Sequence, residues 1–230
     1  MGSLTFDNTI INSITQSSNP AGNISFTAPI LSIIGGTQIL AETNGDGAGG
    51  NIEINASNAV NLLRTVDSFP VLSVQTNNGG KAGTILINTP TFTLSDQARI
   101  TATATATSTN TNGGGSVTLN ASTMNLSGTV GVFAETESSA NAGTLKLSPY
   151  MNDSDLKINL TTGSKISAST SSSGNGGNIE LSAPESISLT GSGEISVTTS
   201  DAGNAGNISF NAPSIFLTNG VLVSASTLGT

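Results

Sequence analysis

The sequence predicts an all-β parallel β-helix: a solenoid of about seven three-stranded coils with roughly 31 residues per coil, in a chain of 230 residues. Three observations lead there. A Gly, a polar residue and an apolar-x-apolar triplet recur at a nearly constant interval. Two further short alternating segments follow in the same order each time. No stretch carries a 3.6-residue period for any length, so helices are not expected.

The first strand of each coil opens at Gly22 (GNISF), Gly50 (GNIEI), Gly83 (GTILI), Gly115 (GSVTL), Gly143 (GTLKL), Gly177 (GNIEL) and Gly206 (GNISF). The spacings are 28, 33, 32, 28, 34 and 29. Every apolar position of these triplets is Ile, Val, Leu or Phe, from Ile24/Phe26 to Ile208/Phe210. Period-two alternation over five residues is the mark of a half-buried strand. Pro29, Pro90, Pro184 and Pro213 stand seven residues after their Gly, and Pro149 six. Pro cannot donate to a ladder, so these residues end the first strand at a corner.

The second strand reads Phe92-x-Leu94, Met124-x-Leu126, Ile187-x-Leu189 and Ile215-x-Leu217. The third reads apolar-x-(Ala/Val) with a hydroxyl residue two positions on, as in Ile39-Leu-Ala41-Glu-Thr43, Val132-Phe-Ala134-Glu-Thr136 and Ile166-Ser-Ala168-Ser-Thr170. Gly/Asn/Ser loops such as NGDGAGG and SSSGNGG come next, where Gly and Asn are expected to supply the positive φ of a sharp turn. Residues 1–21 form a partial leading coil, with Met1–Ser3 reading as a start added to the repeat; residues 22–230 form one solenoid, expected to be a piece of a longer one. A propeller blade would need four strands, about 40 residues and more aromatics than one Tyr, seven Phe and no Trp.

Composition narrows the function. Six basic against 14 acidic residues give a net charge of −8, which argues against nucleic acid. With no His and no Cys, Cys/His zinc sites, Ser-His or Cys-His nucleophiles and thiol redox are ruled out. No run approaches the roughly 18–20 apolar residues of a membrane-spanning helix. No signal-peptide pattern opens the chain. No cofactor is expected: Gly45, Gly47 and Gly50 have GxGxxG-like spacing, but no helix follows to receive a phosphate.

The unit NAGNISF-NAPSIFL-TNGVLVSAST at residues 204–227 resembles the repeats of filamentous haemagglutinin-like exoproteins, above all those of cyanobacterial large exoproteins with the haemagglutination-domain label. Residues 175–202 look the same, and the likeness covers about 22–227. It implies a right-handed β-helix, two-partner secretion through an outer-membrane partner, an extracellular or cell-surface location, and a part in adhesion. The Asn-Pro motifs of that family's secretion domain are missing apart from Asn19-Pro20, so the chain corresponds to the shaft. The expected function is a non-enzymatic structural and adhesive region with shallow, multivalent contacts to cell-surface glycans or other surfaces. End-to-end association of the open coils is a further expectation.

No catalytic or metal-binding residue is assigned. The candidate contact face is the outward side of the third strand: Thr101, Thr103, Ser167, Ser169, Ser196, Thr198, Ser224 and Ser226, with Phe133 as an exposed aromatic. Leu40/Glu42 and Phe133/Glu135 interrupt this hydroxyl series. Regular Thr-x-Thr ranks would suit ice binding, the second alternative. The first alternative, a polysaccharide lyase or hydrolase, needs clustered acids. Its candidates are Asp153 and Asp155 with Lys157 in the insertion YMNDSDLK, and Arg64/Asp67 with Asp96/Arg99. The simpler reading is solvated loop acids for the first group and rim salt bridges for the second. The strand Ile100–Ser108 (ITATATATS) is expected to wall a groove there. Asp46 in NGDGAGG matches a nonapeptide Ca²⁺ repeat only in part and only once. Asn-x-Ser/Thr sites at Asn23, Asn120 and Asn207 follow from the repeat and imply no glycosylation.

Overall fold

The computed structural model describes residues 2–65, 71–105 and 113–229. It is an all-β solenoid of about seven turns, with parallel strands stacked rung on rung. First strands (Thr84–Asn88, Ser116–Asn120, Thr144–Ser148, Asn178–Ser182, Asn207–Asn211) pair only with first strands. Second strands (Thr91–Asp96, Thr123–Gly128, Asp155–Leu160, Ser186–Gly191, Ser214–Thr218) do likewise. In the two earliest full rungs, Ile24–Ile34 and Asn51–Arg64 run round the corner without a break and join these two columns into one sheet. Third strands, from Ile10–Asn12 to Leu222–Thr227, form a separate eight-stranded sheet. The leading segment supplies a second strand, Ser3–Asp7, and a third, Ile10–Asn12.

The triplets fill the interior as their alternation requires. Ile52, Ile54, Ile85, Ile87, Val117, Leu119, Leu145, Leu147, Ile179 and Leu181 are all at most 2% exposed. Each stacks on its equivalent in the next rung, so like shapes meet. Burial of such a side chain stabilises the fold by about 1.5–3 kcal/mol. On the third side the interior is floored by Ala41, Val74, Ala102, Ala134, Ala168 and Val197. The hydroxyl residue two positions later also faces inward, and Thr15, Thr43, Thr76, Ala104, Thr136, Thr170 and Thr199 form a bridge-by-bridge column. Thr43 and Thr170 use their hydroxyls to accept backbone N–H groups of their own loops, from Gly45 and Ser172 at 3.2 Å.

The glycines that open each coil have a different physical reason from the one expected of the loops. None of the seven has positive φ. From Gly50 onward their Cα atoms instead press against the carbonyl of the equivalent glycine one rung below: a Cβ on Gly143 would lie 1.9 Å from Gly115 O, and one on Gly206 1.8 Å from Gly177 O. Positive φ is concentrated at the corner after the second strand, at Gly35, Asp96, Gly128, Gly163, Gly191 and Gly220; among the described residues of the loops after the third strand only Gly113 has it. Asn and Asp tolerate the left-handed region there, which explains Asp96 and Asn219.

In the coil of the 34-residue interval the extra residues lie mostly between the first strand, which ends at Ser148, and the second, which starts at Asp155, and the second strand slides by two residues against the next rung. Met124 and Leu126 stack on Ile158 and Leu160, yet Leu156 and Ile158 stack on Ile187 and Leu189. A shift of two keeps every side chain on its own face, whereas a shift of one would have turned the apolar set outward. Two expectations are corrected, and a third falls outside the described residues. Arg64 is not a rim residue: it is buried and donates to Thr37 O at 3.1 Å. Asp67 lies outside the described residues. Among the described residues the strand expected over Ile100–Ser108 spans Arg99–Thr101, followed by a single bridge at Ala104; positions 106–108 lie outside them.

Substitution of Gly143 by Ala is expected to cost about 3 kcal/mol in urea unfolding, because backbone and not a flexible side chain must yield. Gly2→Ala, with open space around its Cα, should be neutral. Ile179→Asp should cost about 4 kcal/mol or more. Glu180, whose exposed carboxylate pairs with Lys146 at 3.1 Å, should lose no more than about 1 kcal/mol on replacement by Ala.

Candidate functional site

Stacking places the candidate contact residues in two outward columns of the third sheet. One runs Leu40, Ser73, Thr101, Phe133, Ser167, Ser196, Ser224. The other lies two residues on and contains Glu42, Gln75, Thr103, Glu135, Ser169, Thr198 and Ser226. These residues therefore share one face of the third sheet. They do not form an open hydroxyl surface. Thr101, Thr103, Phe133, Ser167 and Ser196 are buried, and Ser169, Thr198, Ser224 and Ser226 are half-buried.

The cause is visible in the longer neighbours, which lie down over the short ones. The Arg99 guanidinium stacks on the Phe133 ring, 4.4 Å from its centre, so the expected exposed aromatic is covered. Glu42 accepts hydrogen bonds from the Ser73 hydroxyl and from Gln75 Nε2. Glu135 accepts one from the Ser167 hydroxyl at 2.5 Å. Each carboxylate is therefore folded back onto the serine of the next rung. Among the described residues, Thr101 Oγ1, Ser196 Oγ and Arg99 Nε are buried without a hydrogen bond.

Burial pushes the carboxyls of Glu42 and Glu135 above their usual range. Ser73 and Gln75 oppose this at Glu42; Ser167, Lys165 and Arg99 oppose it at Glu135. A raised carboxyl is one property of a general acid. The two stand three rungs apart, however, about 14 Å at about 4.8 Å per rung. Paired carboxylates that cleave glycosidic bonds are separated by about 5–9.5 Å. Asp153 and Asp155 line one recess and bond to opposite neighbouring rungs: Asp153 accepts from Ser122, and Asp155 from Ser186 at 2.6 Å. Lys157 lines the same shallow recess. No cluster of three or more His, Cys, Asp or Glu fit to hold a metal exists among the described residues.

A second concave feature, at the corner between first and second strands, was not anticipated. The outward residue five positions after each opening glycine is Thr27, Asn55, Asn88, Asn120, Ser148, Ser182 or Asn211, and stacking makes these one column. Four of them are linked: Asn88 Nδ2 donates to Asn55 Oδ1 at 2.8 Å, Asn120 Nδ2 to Asn88 Oδ1 at 2.7 Å, and the Ser148 hydroxyl to Asn120 Oδ1 at 2.7 Å. This ladder floors a groove of about 770 Å³ bounded by Pro29 at one end and by Pro149, Tyr150 and Met151 at the other. The fixed offset from glycine to Asn or Ser was the available signal. The Asn-x-Ser/Thr residues are likewise engaged within the solenoid: Asn23 accepts the Asn51 N–H, Asn120 belongs to the ladder, and Asn207 donates to Asn178.

No family model matches the chain, and neither a curated protein nor a solved structure matches it.

The raised carboxyl of Glu135 gives a pH test. The folded state holds this proton more tightly than the unfolded chain, so stability falls as pH rises from about the ordinary value of 4.5 through the folded value. Glu135→Gln keeps an acceptor for Ser167 and removes the ionisation. Its melting temperature relative to the parent should therefore shift in the variant's favour between pH 4 and pH 7; a variant that loses ground over that range would contradict the assignment.

Proposed function

We propose that this chain is a rigid, non-enzymatic structural and adhesive repeat region of a secreted, adhesin-like surface protein, exported by an outer-membrane partner. The observation that carries the reading is continuity. The second and third strand columns stay in parallel pairing from the leading segment, and the first from Ile24, to the last rung, and even the longest interval, 34 residues, leaves that pairing unbroken. Such a stack resists bending because each rung is held by a full backbone ladder and by like-on-like apolar contacts. Its mechanical role is to hold surfaces apart, with attachment through outward features that repeat along its length. The likeness of residues 175–202 and 204–227 to haemagglutinin-type exoprotein repeats supports the same reading, as does the dispersal of the acids.

Carbohydrate cleavage is less well supported, since the two perturbed glutamates are too far apart to share one bond. Ice binding lacks support from an open threonine rank, because Thr101 and Thr103 are buried.

The test is retention of the chain on a panel of immobilised polysaccharides, with and without Ca²⁺, with the supernatant assayed for released oligosaccharide. Retention without release is expected. Release would overturn the non-enzymatic reading, and failure to be retained on any surface would remove the adhesive part of it.

A further inference from the structure

We propose that the corner groove floored by Asn55, Asn88, Asn120 and Ser148 binds a neutral oligosaccharide lying along the solenoid axis. The inference deepens the adhesive reading and rests on it, by naming the ligand class and the place where it sits.

Charge is the first argument. The chain carries a net −8, yet none of the twelve residues lining this groove is charged. The neighbouring groove across Met151, of about 730 Å³, includes Asp153. A neutral ligand is the one for which an uncharged stretch of an acidic surface is complementary.

Unspent hydrogen-bonding capacity is the second. In the ladder, Asn88 and Asn120 each spend one N–H on the rung below and receive one bond on Oδ1 from the rung above. A carboxamide has two N–H donors and two carbonyl lone pairs, so each keeps one donor and one acceptor for a ligand. Asn55 donates to Glu53 at 2.8 Å and keeps its second N–H. Because the ladder bonds run between rungs, all these amides are held in one orientation, and donor–acceptor sets repeat at about 4.8 Å over about 14 Å. Vicinal sugar hydroxyls, each both donor and acceptor, meet such a row at low ordering cost.

Shape and apolar surface are the third. About 770 Å³ lies within the roughly 300–1,000 Å³ of small-ligand sites, and such sites combine apolar walls with a few placed polar groups. The half-buried Tyr150 offers a ring face for the apolar side of a pyranose and a hydroxyl at its edge. Met151 is 78% exposed and has φ of 49°, a backbone state unusual for a residue other than Gly, Asn or Asp. This places its flexible thioether on the lip between the two grooves. Strained residues of this kind cluster at ligand clamps.

The experiment is titration of the full chain with cellohexaose, chitohexaose and maltohexaose, and with hexagalacturonate as the charged comparator, followed by amide-detected NMR. At least one neutral hexamer should shift the side-chain amide signals of Asn55, Asn88 and Asn120, with hexagalacturonate bound at least tenfold more weakly. Tyr150→Ala and Asn88→Ala should each weaken that binding at least tenfold, whereas Ser226→Ala on the third sheet should leave it unchanged. The shift map on the unaltered chain keeps the test valid if a variant fails to fold. Absence of binding by all three neutral hexamers, preference for hexagalacturonate, or shifts confined to the third sheet would overturn the proposal. If the chain is still retained on polysaccharide surfaces under any of those outcomes, the groove assignment falls and the adhesive reading stands.

Discussion

Each coil closes where its opening glycine meets the small residue of the preceding third strand. Gly50, Gly83, Gly115, Gly143 and Gly177 donate their N–H groups to the carbonyls of Ala41, Val74, Ala102, Ala134 and Ala168, at 2.7–2.9 Å. The same glycines rest on the carbonyl of the glycine one rung down, leaving no room for a Cβ. A Cβ on Gly115 or Gly177 would also touch the Cβ of Ala102 or Ala168 at about 3 Å. One contact thus dictates two columns of the sequence: no side chain at the start of the first strand, and a small one inside the third. The interior narrows at this corner for that reason, while two residues earlier the same third strands bury the large side chains of Ile39, Leu72, Ile100, Ile166 and Ile195.

Once the corner is fixed, much else follows from stacking. Inward positions must match their neighbours above and below, because a misfit is felt by two rungs. Outward positions are under no such constraint and vary, from Glu180 beside Lys146 to the serines of the third sheet. Insertions are tolerated when they enter in pairs, as at Tyr150–Asp153, or in loops beyond the ladder. The outward freedom is where any functional difference between coils must reside, and it has produced two unlike surfaces: a third-sheet face closed by its own Glu and Arg side chains, and an open amide-floored corner.

The architecture was legible because its determinants are local and repeated. The Gly-x-apolar-x-apolar segments, the inward Ala/Val and the Thr two positions later each recur in phase, and each proved to be a stacked column. The purpose of the glycines was not legible, since close backbone approach and positive φ select the same residue; only the stacked carbonyl distinguishes them. Burial of Ser167 and Phe133 was hidden for a related reason. Alternation shows that these point outward, but whether Glu135 or Arg99 then folds over them depends on distances between rungs, at separations of about 30 residues. The Asn88–Asn120 ladder had a signal at constant offset from the glycine, masked by the neighbouring prolines, which mark the same corner. The two-residue slide at Leu156 is invisible in sequence because it preserves the alternation.

The central claim is that coils are interchangeable units joined through the glycine corner. It is tested most directly by deleting one whole period, residues 177–205, so that Gly206 takes the place of Gly177 on the carbonyl of Gly143. Urea unfolding of this shortened chain should remain a single cooperative transition with the β-sheet circular dichroism retained and the m-value reduced by about one-seventh, as one of about seven coils is lost. Loss of the β-sheet signal, or an m-value unchanged by the deletion, would contradict the account.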